Sequence, residues 1–307
     1  MILIAPGSRI RAMGDSVTVG ELVDSIAARL TSAGIVDASA EARDLVAVAA
    51  GKNRFWPRLF ADTVVTGEVA DQALTAARRR ESGMPFAYAV GRAPFRHLTL
   101  SVDEHVLIPR QETEVLVDLV LECRTVGTVA DVGTGSGAIA LALASEGRFD
   151  RVIGTDIAGD AIAVARRNAL TVRRDLRCAV DFRTGDLLAP LAGERLEVLV
   201  SNPPYIAYEE ARELPAGVRN WEPGHALFSG GNGLDVTRRI IAGAPRLLCS
   251  GGLLALEVDS RRALQVAECV ASTGSFSHVE VHRDLQGRDR FVLARTVGQQ
   301  LIGEHHA

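Results

Sequence analysis

Asp131-Val132-Gly133-Thr134-Gly135-Ser136-Gly137-Ala138 follows an apolar run that begins at Thr128 and leads into Ile139, Leu141 and Leu143. That succession reads as a strand, a glycine-rich turn and the first turns of a helix. Glycines at 133, 135 and 137 let backbone N–H groups approach a ligand at the carboxyl edge of a sheet, where open α/β proteins bind nucleotides. Gly133, Gly135 and Ala138 also satisfy the dinucleotide fingerprint, and Asp156 stands close to the spacing at which a carboxylate takes ribose hydroxyls. NAD is therefore one ligand open to this turn and S-adenosyl-L-methionine another.

Outward from the turn, strand and helix alternate, the pattern of a parallel sheet covered on both faces. Expected strands are Thr128 to Val132, Val152 to Asp156, Ala179 to Arg183, Leu196 to Ser201, Leu253 to Val258, His278 to His282 and Arg290 to Ala294. The last two are joined by Arg283 to Asp289 with no helix between, so they form an antiparallel hairpin at a sheet edge. The third strand ends in Thr184-Gly185-Asp186-Leu187 and the fourth in Ser201-Asn202-Pro203-Pro204-Tyr205-Ile206. Each proline of that corner locks its own φ, lacks an N–H and holds the preceding residue extended. What remains at the tip is the Asn202 side-chain carbonyl, the Pro203 backbone carbonyl and the flat ring of Tyr205. Two acceptors and a ring suit a planar –NH2, whose nitrogen is then left facing an electrophile. With the glycine turn, Asp156 and Asp186, four strand tips face one crevice. Hydride transfer has no need of such a corner, whereas methyl transfer from S-adenosyl-L-methionine to an amino group does. Adenine, cytosine and glutamine all carry a planar –NH2, so the corner alone leaves a protein acceptor and a nucleic-acid base both open.

A chain of 307 residues, 47% of them apolar, calls for one large domain and a smaller one. A net charge of −4 argues against a general nucleic-acid binder. Cys123, Cys178, Cys249 and Cys269 form no C-x-x-C pair, and the histidines, including His305 and His306, lack metal-ligand spacing, so neither disulfides nor a metal site is expected. The start of the chain holds no segment long and apolar enough for a signal or spanning helix. Residues 1–17 read as a loose extension and 298–307 as a tail. Residues 18–90 read as a helical domain: Thr18 and Glu21 have capping-box spacing, Leu22, Ile26 and Leu30 share a stripe, and further helices cover Ala40 to Ala50 and Val69 to Arg80. Its Arg78-Arg79-Arg80 run reads as a solvated helix end. Gly91, Pro94 and the alternation from Phe95 to Val106 read as a β-hairpin linker over 91–109, leaving 110–297 for the sheet domain.

In aggregate the chain resembles the HemK/PrmC family, the protein-(glutamine-N5) methyltransferases that act on peptide-chain release factors. The resemblance runs from about residue 19 to 296. It is carried by Ile108-Pro109-Arg110 with Glu112-Thr113-Glu114, the glycine turn, Asn202-Pro203-Pro204-Tyr205, and Glu222-Pro223 with Ala226-Leu227 and Gly233-Leu234-Asp235. It implies a seven-stranded, mostly parallel Rossmann-like sheet with S-adenosyl-L-methionine as cofactor. Gly133, Thr134, Gly135, Ser136 and Gly137 would hold its methionine part, Asp156 its ribose, and Asp186 and Leu187 its adenine. Asn202, Pro203, Pro204 and Tyr205 would hold the glutamine amide, with Asn202 also beside the cofactor and the 222–235 loop alongside the substrate. The partner implied is a release factor docked on the helical domain, and the protein is expected to be cytoplasmic and monomeric, with no membrane or direct nucleic-acid contact. Gln111 stands where the family has proline, Ala87 where glutamine is common and Asp259 where glycine is usual. These departures keep in view a paralogue acting on another amide, such as a ribosomal-protein glutamine or a small metabolite; the corner by itself keeps open an adenine-N6 methyltransferase and a nucleotide-sensing module whose corner only closes the pocket.

Overall fold

A computed structural model describes residues 17–297. The expected loose extension, up to residue 16, and the expected tail lie outside the described residues. The chain divides into two compact units, Met1–Val90 and Gly91–Ala307.

In the first unit β1 (Val17–Thr18) pairs antiparallel with β2 (Val64–Val65), so Val17 belongs to a strand and not to the extension. The helices are α1 (Val19–Ser32), α2 (Ala38–Ala49), α3 (Trp56–Leu59), α4 (Gly67–Glu81) and α5 (Phe86–Val90). Thr18 caps α1 in a reciprocal box with Glu21, and Leu22, Ile26 and Leu30 bury their stripe against Leu45, Val46, Ala73 and Ala77. Helix α4 starts two residues earlier than periodicity indicates, because Thr66 accepts from the Val69 N–H at 3.4 Å and caps it. The arginine run is not simply solvated. Arg80 binds Glu41 through Nε at 2.7 Å with its side chain only 11% exposed.

The second unit opens on a hairpin, β3 (Arg92–Phe95) and β4 (Leu98–Ser101), shorter than the expected alternation. It is no loose connector: Phe95, Leu98 and Leu100 lie in the same core as Leu116 and Leu141. There follow α6 (Gln111–Cys123), β5 (Thr128–Val132), α7 (Ala138–Glu146), β6 (Arg151–Asp156), α8 (Gly159–Thr171), β7 (Ala179–Thr184) and β8 (Leu196–Ser201). Short helices α9 (Ala216–Trp221) and α10 (Gly224–Leu227) then precede α11 (Asp235–Gly243), β9 (Leu248–Glu257), α12 (Ala263–Ser272), β10 (Phe276–Arg283) and β11 (Asp289–Thr296). All seven expected sheet strands are present. Strand β9 begins five residues before the expected start, because it runs on through Gly251 and Gly252 with a register shift opposite Leu196 and Val198.

The sheet order is β10-β11-β9-β8-β5-β6-β7, parallel from β7 to β9 and antiparallel at β9-β11-β10. Its two faces bury separate sets of side chains. Val129, Val152, Val200 and Leu253 face α6, α7 and α8, while Ala130, Ile153, Leu199 and Leu254 face α11 and α12. From β5 the chain winds outward to β6 and β7, then returns to lay β8 on the other side of β5. That reversal opens a crevice at the carboxyl ends of β5 and β8. No helix of the described residues is long and apolar enough to cross a membrane.

Candidate active site

Strand register brings the tips together. Val132 lies opposite Thr155 on one side and Ser201 on the other, and Ser201 lies opposite Leu256. The glycine turn, Asp156, Asn202 and Glu257 therefore stand side by side along one sheet edge. Ser201 Oγ donates to the Val132 carbonyl at 2.6 Å, pinning the proline corner to the glycine turn.

The turn itself depends on backbone that only glycine takes up easily: Gly133, Gly135 and Gly137 all have positive φ, between 54° and 83°. The N–H groups of Gly133 and Thr134 both donate to the Thr155 carbonyl at 2.8 Å. Asp156, nearly buried, accepts from the Gly135 N–H at 2.9 Å and the Ala158 N–H at 3.0 Å. Its carboxylate keeps spare lone pairs at the strand tip. Beneath the turn lies Asp131, fully buried, with Oδ2 accepting from Thr134 Oγ1 at 2.6 Å and the Ala140 N–H at 3.2 Å. Its Oδ1 has no partner, and burial pushes the carboxyl up to about 7. A buried carboxylate oxygen without a partner beside a glycine turn is an acceptor for a cationic group.

Asp186 is exposed, and its carboxylate pairs with Arg239 on α11. Leu187 has φ 47°, a conformation that costs a non-glycine residue about 1–2 kcal/mol. Thr155 Oγ1 holds it there by donating to the Leu187 carbonyl at 3.1 Å.

At the other end of the crevice Asn202, Pro203, Pro204 and Tyr205 line a cavity of about 160 Å³ with Leu107, Arg110, Ile206, Leu214, Val218, Ala226 and Leu227. Its walls are largely apolar around a few polar atoms, so a bound planar amide would be shielded from water. Tyr205 is held neutral, its hydroxyl pushed up to about 12 by burial first and by Glu257 second. The segment from Glu222 to Asp235 closes over the corner. Ile206 donates to the Leu227 carbonyl at 3.0 Å and accepts from the Ser229 N–H at 2.9 Å, and Tyr208 stacks on Phe228. Gly233 is required there, since a Cβ would sit 2.4 Å from the Tyr205 carbonyl oxygen.

Four features escaped sequence reading. Arg110 reaches across 112 residues to bind the buried Glu222 at 2.6 Å. Thr113 accepts from Asn202 Nδ2 at 3.1 Å and donates to Glu257 Oε2 at 2.7 Å. The unpaired Asp131 oxygen is the third. The fourth is Asp259, whose carboxylate takes both Arg261 and Arg262, while Arg262 also binds Glu210 at 2.7 Å. Glycine there would lose that cluster. The residue types were visible in the sequence, but the Arg110–Glu222, Thr113–Asn202, Thr113–Glu257 and Arg262–Glu210 partners lie too far apart in the chain to share a local signal, and burial of one Asp131 oxygen without a partner has none. Gln111 is merely the first residue of α6, and Ala87 lies on α5 in the other unit.

Residues 111–216 match the methyltransferase small domain family, and residues 21–91 match the PrmC N-terminal domain. A relative from Moorella thermoacetica named "Release factor glutamine methyltransferase" is 40% identical over 284 residues, 91% of this chain and 98% of the relative. A relative of the same name from Deinococcus radiodurans is 36% identical over 91% of this chain and 98% of its own length. One from Bacillus anthracis is 39% identical over 75% of this chain and 83% of its own length.

Proposed function

Because this chain belongs to the release factor glutamine methyltransferase family, we infer that it methylates the side-chain amide nitrogen of a glutamine in a peptide-chain release factor, with S-adenosyl-L-methionine as donor. The observation that carries the reading is the proline corner set beside the glycine turn on adjacent, registered strands. The kinship favours an amide over an adenine as acceptor, and a methyltransferase over a sensing module.

The crevice fits the cofactor. The unpartnered Asp131 Oδ1 would accept from the cofactor's ammonium, the glycine turn would give close backbone approach, Asp156 would offer a carboxylate to ribose hydroxyls, and Leu187 would take the adenine. Asp186 has the weakest claim, since Arg239 already holds it. When bound, the cofactor supplies a methyl group on a positively charged sulfur.

An amide nitrogen is a poor nucleophile because its lone pair is shared with the carbonyl, a resonance measured by a rotation barrier of ~18–20 kcal/mol. The chain must therefore contribute alignment. Asn202 Oδ1 and the Pro203 carbonyl each accept one amide hydrogen, and the Tyr205 ring holds the plane. Both hydrogen bonds strengthen as positive charge grows on nitrogen, so they stabilise the transition state more than the ground state. The apolar walls exclude water as a competing acceptor, and the proton leaves afterwards without a dedicated carboxylate base. The helical unit, which holds no chemistry of its own, docks the protein substrate, and the enzyme works as a monomer without nucleic acid.

Incubation with labelled S-adenosyl-L-methionine and recombinant release factor, followed by mass mapping, tests this. One methyl group on one glutamine is expected. Label on nucleic acid alone, or none on release factor, would overturn the reading.

A further inference from the structure

We propose that Thr113 and Glu257 are positioning residues that determine which end of the Asn202 side-chain amide faces the acceptor. The proposal rests on the reading of Asn202 as the acceptor for a reacting –NH2. The two ends of a carboxamide are nearly identical in shape, so packing alone cannot choose between Oδ1 and Nδ2. Hydrogen-bond polarity can. An ionised Glu257 has only acceptors, so the single hydroxyl proton of Thr113 goes to Glu257 Oε2, 2.7 Å away. Thr113 Oγ1 is then left as an acceptor, and only the Nδ2 end of Asn202 can satisfy it, at 3.1 Å. Oδ1 is thereby turned away from Thr113 and made available in the cavity that Asn202 lines with Pro203. One buried charge on β9 thus sets the direction of two hydrogen bonds reaching the corner on β8, through a threonine on α6.

Reversal of the relay follows from protonation. A protonated Glu257 can donate to Thr113 Oγ1, which frees the threonine proton for Asn202 Oδ1 once the amide has turned over. Asn202 would then present –NH2 to –NH2. Glu257 is 1% exposed, and burial raises its carboxyl to about 7, while the Thr113 hydrogen bond, Arg290 on β11 and Arg110 act to lower it. Glu112 on α6 also faces it and acts to raise it, and the charge is felt in turn by the Tyr205 hydroxyl. The ionised form is the one that points Oδ1 correctly. Turnover should therefore fall as pH drops through about 7.

The experiment uses the full chain, recombinant release factor and labelled S-adenosyl-L-methionine, with kcat followed from about pH 5.5 to 9. Thr113→Val should lower kcat roughly tenfold, and Thr113→Ser, which keeps the hydroxyl, should restore most of it. S-adenosylhomocysteine affinity and the KM for release factor should stay within about twofold in both. Glu257→Gln, which can donate or accept, should lower kcat and flatten the acid limb. Wild-type kcat in Thr113→Val, equal impairment of the serine and valine variants, or an unchanged acid limb in Glu257→Gln would each overturn the relay. Should Glu257→Gln fail to fold, the threonine pair alone decides. Asn202→Ala separates the two levels of inference: at the wild-type rate it removes the reading of the corner itself, whereas a slow Asn202→Ala beside fast Thr113→Val and Glu257→Gln removes only the relay.

Discussion

Replacing Gly233 by alanine should disable methyl transfer while sparing cofactor binding. Gly233 has φ 73°, and its missing Cβ would lie 2.4 Å from the Tyr205 carbonyl oxygen and 3.1 Å from its carbonyl carbon. The left-handed backbone costs alanine about 1–2 kcal/mol. A carbon and an oxygen need more than 3 Å, so either the Gly233 loop or the Tyr205 backbone must move by roughly an ångström. That carbonyl belongs to the corner that holds the acceptor, and misplacement on this scale typically costs about 10²-fold in rate. The glycine turn follows β5, outside the disturbance, so S-adenosylhomocysteine affinity by calorimetry should change less than about twofold. Melting should drop by roughly 2–8 °C for the backbone strain alone. Gly231→Ala is the internal control, since a Cβ there meets nothing within 4 Å and its φ lies outside the left-handed range. A Gly233→Ala enzyme that methylates release factor at the wild-type rate would refute the proposed geometry. So would a Gly231→Ala variant equally impaired, since the loss would then not depend on contact with Tyr205.

Asp156→Ala should weaken S-adenosylhomocysteine binding by roughly 30- to 150-fold, about 2–3 kcal/mol for losing a charged acceptor of two hydroxyls; unchanged calorimetric affinity would contradict the role. Asp131→Asn should raise the melting temperature of the cofactor-free protein near pH 8 and leave it little changed near pH 3, while weakening cofactor binding. The sign follows from a folded-state value of about 7, above the usual carboxylate range: stability is fully present below the ordinary carboxylate value, where both states hold the proton, and is lost as pH rises from there through about 7, where only the native state still holds it. Equal melting shifts at both pH values would contradict this. Removal of residues 1–90 should abolish methylation of intact release factor while cofactor binding persists in the second unit, which has its own cores; full activity of the shortened chain would make the helical unit dispensable.

The sheet and both ends of the crevice were legible in the chain because their causes are local. Alternating apolar residues make a strand, glycines at 133, 135 and 137 make a turn, and two prolines after Asn202 stiffen a corner, each within a few residues. The same local logic misplaced what neighbours override. The expected strand started at Leu253, yet β9 begins at Leu248, because β8 pairs with Leu248 before the two glycines as well as with Leu253 after them. Arg80 read as solvated until α2 brought Glu41 to it.

By itself the sequence determined the types of group at the strand tips, and hence the class of chemistry, because backbone conformation and side-chain donors are properties of short segments. Which way those groups point was decided only by the tertiary structure. Thr113 and Glu257 lie 144 residues apart, and Thr113 and Asn202 lie 89 apart. Only the packing of α6 against the edge of β8 and β9 makes them a single hydrogen-bonded line. Burial there excludes water, so each donor must find its acceptor inside the protein, and the direction of one bond dictates the next.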